Sequence, residues 1–224
     1  MFDEIDKSKK WPIYVIDKEG TFFPRNSQNY WHLAALKNTF TPFVRDAEKV
    51  LPGINTTVIM LAQIMSFTAC GGYGFPSVMY HHYGEPKFWI IVPQAFATRL
   101  INLFKAEVPD YYKNCEAASR NAQNILLFPQ ILKAANPPIP FKYIKQCVGQ
   151  YVVTFPGAYH MVLNSGYNIC EGLNFSVDRW TQKYAKKERR CTCDLKPKPK
   201  KDVPLSFKIE SFYFYQVLAS RVSS

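Results

Sequence analysis

The sequence predicts a mainly β fold, a barrel or double-sheet jelly roll with a helical N-terminal part and a helical insertion. Three observations predict it. Aromatic residues make up 16% of the chain, with 17 Phe and 14 Tyr, and such side chains suit a pleated, half-buried surface. Short β-prone runs bounded by Gly and Pro occur on both sides of one helical stretch. Strands and helices do not alternate, which argues against a doubly wound sheet. At 224 residues one domain can bury about 70% of its unfolded surface, so neither a disulfide nor a metal is needed to make a core.

The first strand is expected at residues 11–16 (WPIYVI), followed by a turn at Lys18, Glu19 and Gly20. From residue 30 to about 50, Trp31, Leu33, Leu36, Phe40, Phe43 and Val44 recur at roughly helical spacing. That spacing suggests one or two amphipathic helices broken near Pro42. Residues 58–65 and 77–83 read as strands, and the glycines of 70–74 (CGGYG) mark a loop between them. Residues 87–93 (KFWIIVP) form another strand. A helix with Phe96, Leu100, Ile101 and Phe104 on one face follows, with Arg99 and Lys105 off it. Pro129 is expected in the first turn of a short helix ending near Ala135. Residues 137–140 (PPIP) are extended or turn. Residues 150–156 and 168–177 read as strands around a turn at Tyr159 and His160. No internal repeat is visible.

The formal charge is +11, from 28 Lys+Arg against 17 Asp+Glu, a balance that favours acidic partners. Much of it lies in residues 183–201, where Lys183, Lys186, Lys187, Arg189, Arg190, Lys196, Lys198, Lys200 and Lys201 crowd together. This segment reads as a solvated connector stiffened by Pro197 and Pro199, or as a phosphate-contacting patch for nucleic acid. The first ten residues are polar and do not resemble a signal peptide. No apolar run reaches membrane-spanning length, so no membrane partner is expected. The six cysteines are then better read as thiols or metal ligands in an intracellular protein than as disulfides. The expected division is a polar segment at 1–10, one domain at 11–194, and a basic linker with a C-terminal segment at 195–224.

Four blocks carry a resemblance: PIYVIDKEGTFF at 12–23, YHHYGEPKFWIIVP at 80–93, GQYVVTFPGAYHMVLNSGYN at 149–168 and NFSVDRW at 174–180. Together they resemble the Jumonji-C (JmjC) histone lysine demethylases, above all the zinc-containing subgroup that acts on trimethyl-lysine in the histone H3 tail. The resemblance implies a cupin-like double-stranded β-helix, nuclear location, and histone H3 or chromatin proteins as partners. It also implies a two-histidine, one-carboxylate site for Fe(II), with 2-oxoglutarate as cosubstrate. By position, His160 matches the distal histidine ligand. Lys87 matches the lysine that pairs with the far carboxylate of 2-oxoglutarate, Tyr14 the tyrosine that bonds the same group, and Asn174 an asparagine near the substrate.

The other two iron ligands, a His-x-Glu or His-x-Asp pair, should lie between Phe67 and Tyr80. Aligning from the left puts Cys70 and Gly72 there, and aligning from the right puts Ala69 and Gly71. No Asp or Glu occurs between Glu48 and Glu85, so no change of register supplies the carboxylate. The family's cosubstrate asparagine is Met79 here, its methyl-lysine tyrosines are Val58 and Met60, and its serine before the NF block is Gly172. The zinc clip keeps Cys115, Cys191 and Cys193 but has Asn121 where its histidine belongs, so a Zn(II) site would be one ligand short. His81 and His82 read as structural, and Cys147 and Cys170 as core thiols. A JmjN-like brace is not recognisable before Trp11. The expectation is a pseudoenzyme serving as a chromatin or histone-tail interaction module. The alternative is a 2-oxoglutarate-dependent demethylase with residual activity.

Overall fold

The structure is a computed structural model, and it describes residues 15–24, 31–36, 52–54, 56–62, 67–71, 76–112 and 127–175. The side chains of 17, 67–71, 110 and 111 are outside that description. The strands are β1 (Val15–Glu19), β2 (Val58–Ala62), β3 (Phe67–Gly71), β4 (Ser77–Gly84) and β5 (Lys87–Val92). After the helical insertion come β6 (Lys142–Gln146), β7 (Tyr151–Thr154), β8 (Tyr159–Asn164) and β9 (Asn168–Asn174). They form two antiparallel sheets, ordered β1-β2-β9-β4-β7 and β3-β8-β5-β6. The insertion carries α1 (Ala97–Glu107), α2 (Pro109–Tyr112) and α3 (Pro129–Ala134). The result is a mainly β double-sheet jelly roll, as the residue pattern predicts.

Side chains alternate across each strand with a period of two, and here they feed three separate cores. On the outer face of the four-stranded sheet, Ile90, Val92, Tyr159 and Met161 pack under Leu100 and Phe104 of α1 and Leu132 of α3. On the outer face of the five-stranded sheet, Val78 and Leu173 meet Leu33, with Phe23, Tyr80 and Tyr151 around them. Between the sheets lie Trp89, Val152 and Val162, with Met79 and Ile91 against them. Gln146 stitches the open side: its Oε1 accepts from Trp89 Nε1 (2.9 Å), and its Nε2 donates to Met79 O and Gln150 O (both 3.0 Å). Its amide is fully buried and three of its four hydrogen-bonding sites are filled.

Several local expectations change. β1 runs through Lys18 and Glu19, which pair with Ile59 and Val58, because a sheet partner outweighs their turn preference. Residues 70 and 71, expected in a loop, end β3, and Gly71 pairs with His160 across a register shift. Tyr159 and His160 are not a turn but the first residues of β8. The turn falls earlier, at Gly157, whose φ is 71°. β3, β6 and α2 escaped the sequence reading. Of the helices expected over 30–50, one 3-10 turn at Leu33–Ala35 is described, and residues 37–51 lie outside the described part. Cys170 is buried as expected, whereas Cys147 is half-buried in the β6–β7 turn.

Gly84 closes β4 at φ 96°, a region L side chains avoid. A Cβ there would stand 2.1 Å from Tyr167 O. Two turns are clasped at this point, with Glu85 N donating to Tyr167 O (2.9 Å) and Ser165 N to Pro86 O (3.2 Å). Gly84→Ala is therefore expected to cost more than ~2 kcal/mol, combining αL strain with a backbone clash. A chemical-denaturation midpoint within error of the parent would contradict this.

Candidate active site

Inward residues of β2, β4, β5, β8 and β9, besides Val152 of β7, line the space between the sheets. β5 contributes Lys87, Trp89 and Ile91, and β8 contributes His160, Val162 and Asn164. β9 presents Asn168, Cys170 and Gly172, opposite Ala62, Met60 and Val58 of β2. Met79 enters from β4.

Lys87 sits at one end of this space and is 3% exposed. Its Nζ donates to Asn164 Oδ1 at 2.7 Å, since Lys87 and Asn164 are register partners on β5 and β8. Asn168 Nδ2 donates to the same oxygen and to Gly166 O, both at 3.0 Å. Cys170 Sγ lies 3.7 Å from Asn168 Oδ1. Burial lowers the Lys87 pKa, and Cys170 beside it offsets that in part. Burial pushes the Cys170 thiol up to about 11, against the pull of Lys87, so it is a neutral thiol at neutral pH. The lysine is thus held by an amide oxygen, and no carboxylate partner for it is found among the described residues.

His160 lies on the inner face of β8, between Ile91 of β5 and Gly71 of β3. Its Nδ1 faces Ala158 O at 3.3 Å. A carbonyl only accepts, so Nδ1 carries the hydrogen and Nε2 keeps its lone pair. The Trp89 ring is 5.9 Å away, centroid to centroid. Burial lowers the pKa of this imidazole, against the Ala158 bond, so it is a neutral nitrogen donor. Directly across the strand pair stands Gly71, a residue with no side chain. No group of three His, Cys, Asp or Glu able to hold a metal is found among the described residues.

The remaining positions are less open than the sequence suggests. Asn174 Nδ2 donates to Gly53 O at 3.0 Å, and its backbone N–H donates to the same carbonyl at 2.7 Å. The side chain is therefore tied to a turn. A Cβ on Gly172 would lie 3.1 Å from Met60 Cε, so the Met60 methyl occupies room that a serine at 172 would contest. These two departures are one packing change. Tyr14, Cys115, Cys191 and Cys193 lie outside the described residues, as does the side chain of Cys70.

The neighbouring histidines are structural, as expected. His81 is fully buried, with Nε2 3.0 Å from Tyr83 O and Nδ1 3.3 Å from Gln146 O. Burial lowers its pKa against those two bonds, which favours the neutral tautomer donating to Tyr83. His82 Nε2 donates to Glu171 Oε2 at 3.0 Å on the outer face. The Phe22 N–H donates to the same oxygen at 3.0 Å. Glu171 is fully buried and its Oε1 has no hydrogen-bond partner among the described residues; the Thr57 hydroxyl donates instead to Gly20 O at 2.7 Å. Sequence reading missed Asn164, Asn168, Gln146 and Glu171. The polar residues inside an apolar strand, as in NICEGLN, were the available signal, but their partners are set by register.

The family profile described as "JmjC domain, hydroxylase" matches residues 68–175, a span running from β3 through β9. The chain belongs to the JmjC family. It is 32% identical over 184 residues to the human "Probable lysine-specific demethylase 4F", covering 81% of this chain and 28% of that protein. It is 30% identical to the mouse "Lysine-specific demethylase 4B", covering 86% of this chain and 18% of that one. It is 30% identical to the rat "Lysine-specific demethylase 4D", covering 90% and 38%. The chain thus spans well under half the length of each of these relatives. A JmjC iron centre takes three protein donors on facing strands. In this JmjC chain the strand facing His160, FTACG at 67–71, contains no His, Asp or Glu, so its residue types do not fit the family's Fe(II) donor set. Lys87 fits the carboxylate end of 2-oxoglutarate, but it is already hydrogen-bonded to Asn164.

Proposed function

We propose that this JmjC chain is catalytically silent and serves as a nuclear chromatin or histone-tail interaction module. The observation that supports the reading is the pairing of Gly71 with His160 in a stretch without any acid from residue 49 to 84. A lone neutral imidazole does not retain labile Fe(II), since the facial site depends on all three donors. The contacts with partners then come from surfaces, because Met60 over Gly172 closes on the place where the family takes a methylated lysine. The basic residues 183–201 are the part of the chain suited to nucleic-acid phosphates. Among the described residues basic and acidic side chains nearly balance. Cys115, Cys191 and Cys193 are proposed as an incomplete zinc clip. No helix among the described residues is long and apolar enough to cross a membrane.

Metal analysis of the purified chain by mass spectrometry, with succinate release on a methylated histone H3 peptide, tests this. The expected result is substoichiometric iron and no succinate above a control without protein. One tightly held iron per chain with 2-oxoglutarate turnover would sink the reading. A second reading, residual 2-oxoglutarate-dependent demethylation, draws on Lys87 and His160, which keep their inward positions, and predicts the opposite outcome of the same measurement. Ala69→His with Gly71→Glu places a carboxylate directly across from His160, and the silent-fold reading expects iron retention to appear only in that variant.

A further inference from the structure

Among the strands that end the two sheets and whose side chains are described, β1 and β6 are guarded by charge. β1 carries Lys18 and Glu19, and β6 carries Lys142 and Lys145. Charged side chains on an edge oppose the pairing of another strand. β7 is different. Among the described residues it ends the five-stranded sheet, its sequence is YVVT, and it has no charged residue. Val153 is 44% exposed and Phe155, just past the strand, is 74% exposed. Trp31 and Tyr151 continue the apolar surface, with Tyr151 Oη donating to Trp31 O and the rings 5.6 Å apart. An uncharged edge with exposed apolar side chains is a template for an added strand.

The position at which the chain leaves the barrel selects the occupant. Asn174 and Thr154 are both register partners of Ser77, Ser77 Oγ and Thr154 Oγ1 are 2.6 Å apart, and Phe175 N donates to Pro76 O at 3.0 Å. The chain therefore leaves β9 level with the end of β7 and two strand spacings away, about 10 Å. Residues 176–204 follow, and a chain of that length even at random-coil dimensions spans roughly 30 Å, which is ample. Next comes a stretch of high β propensity. Leu205, Phe207 and Ile209 alternate with Ser206 and Lys208, and Phe212, Tyr213, Phe214 and Tyr215 run in succession. Such a stretch leaves its apolar face and its backbone groups in need of a partner.

We infer that residues 205–215 add as a strand along β7, turning the five-stranded sheet into a six-stranded one and covering Val153 and Phe155. The basic segment 183–201 is then a loop held at both ends against one side of the barrel. This inference is independent of whether the iron site is silent.

Hydrogen exchange read by mass spectrometry tests it, comparing the full chain with one ending at Asp202, each at two protein concentrations. In the shortened chain the amides of 151–155 are expected to exchange at least ~ten-fold faster, with little change in β5 and β8. A synthetic peptide of residues 203–217 should restore their protection. In the full chain, Val153→Asp places a charge on the edge and is expected to speed exchange at 205–215 by a similar factor. Equal exchange of β7 with and without residues 203–224 would overturn the inference. So would protection that rises with protein concentration alongside a dimer in sedimentation, because the occupant would then be a second copy. Unchanged protection of 205–215 in Val153→Asp would also count against it.

Discussion

Glu171→Ala is expected to remove about 2–4 kcal/mol of stability, because two hydrogen bonds to a buried carboxylate are lost and both donors are left without their acceptor. The carboxylate is fully buried and its Oε2 is the shared acceptor for His82 Nε2 and the Phe22 N–H. Deleting it leaves a half-buried imidazole and an amide without their partner and opens a void between β9, β4 and the segment after β1. For a chain of this size the loss corresponds to a fall in Tm on the order of 10 °C, readable by calorimetry. Glu171→Gln keeps an acceptor for Phe22 and should lose less. The pH dependence has a definite sign. Burial raises the Glu171 pKa, but the His82 bond and the Phe22 N–H, with the Thr21 hydroxyl nearby, together hold it below the ordinary carboxylate value. Its contribution is therefore present above the ordinary carboxylate pKa and disappears as pH falls through the lower folded value. An alanine variant within about 1 kcal/mol of the parent, or one whose acid limb matches the parent's, would remove Glu171 from the set of structural anchors.

Asn164→Leu is expected to cost at least ~3 kcal/mol, because it leaves the buried Lys87 ammonium without its oxygen. Lys87→Met should by contrast fall within about 1.5 kcal/mol of the parent, since a thioether of similar volume needs no partner. The double variant should recover most of the Asn164→Leu loss, giving a coupling of about 2 kcal/mol or more. The lysine also sets a pH signature. Its folded pKa lies below the ordinary value of 10.5, so between the two values the unfolded chain binds more protons and stability rises with pH. Lys87→Met should abolish that alkaline rise. Additive losses in the cycle would show that Lys87 is held by something other than Asn164. The functional point is that a lysine positioned for a dicarboxylate in the family has, in this chain, an internal partner.

Much of the fold was legible in residues. Apolar runs bounded by glycine and proline gave β4, β5, β7 and β9 nearly to their ends, because apolar composition and turn residues at both ends are local signals. Pro129 at the start of α3 is equally local. β6, with the exposed sequence KYIK, was not legible, since it is a strand only because β5 lies beside it. The end of β1 was misread and β3 was missed for the same reason. A turn-prone pair such as Lys18 and Glu19, or a glycine such as Gly71, accepts extended geometry when an adjacent strand offers hydrogen bonds.

In the site, the lack of any acid from residue 49 to 84 is a property of the sequence alone. An acid absent from residues 49–84 is absent in every register, and no fold can supply it on that strand. The resemblance also matched His160 and Lys87 to positions of the family's site. What lies opposite them was decided by tertiary structure. Gly71 faces His160, Asn164 and Cys170 enclose Lys87, and Met60 covers Gly172 because strands far apart in the chain pair in one register. A shift of one residue would turn each of those side chains to the other face of its sheet. Residue identity fixes which donors exist, and pairing fixes which of them meet.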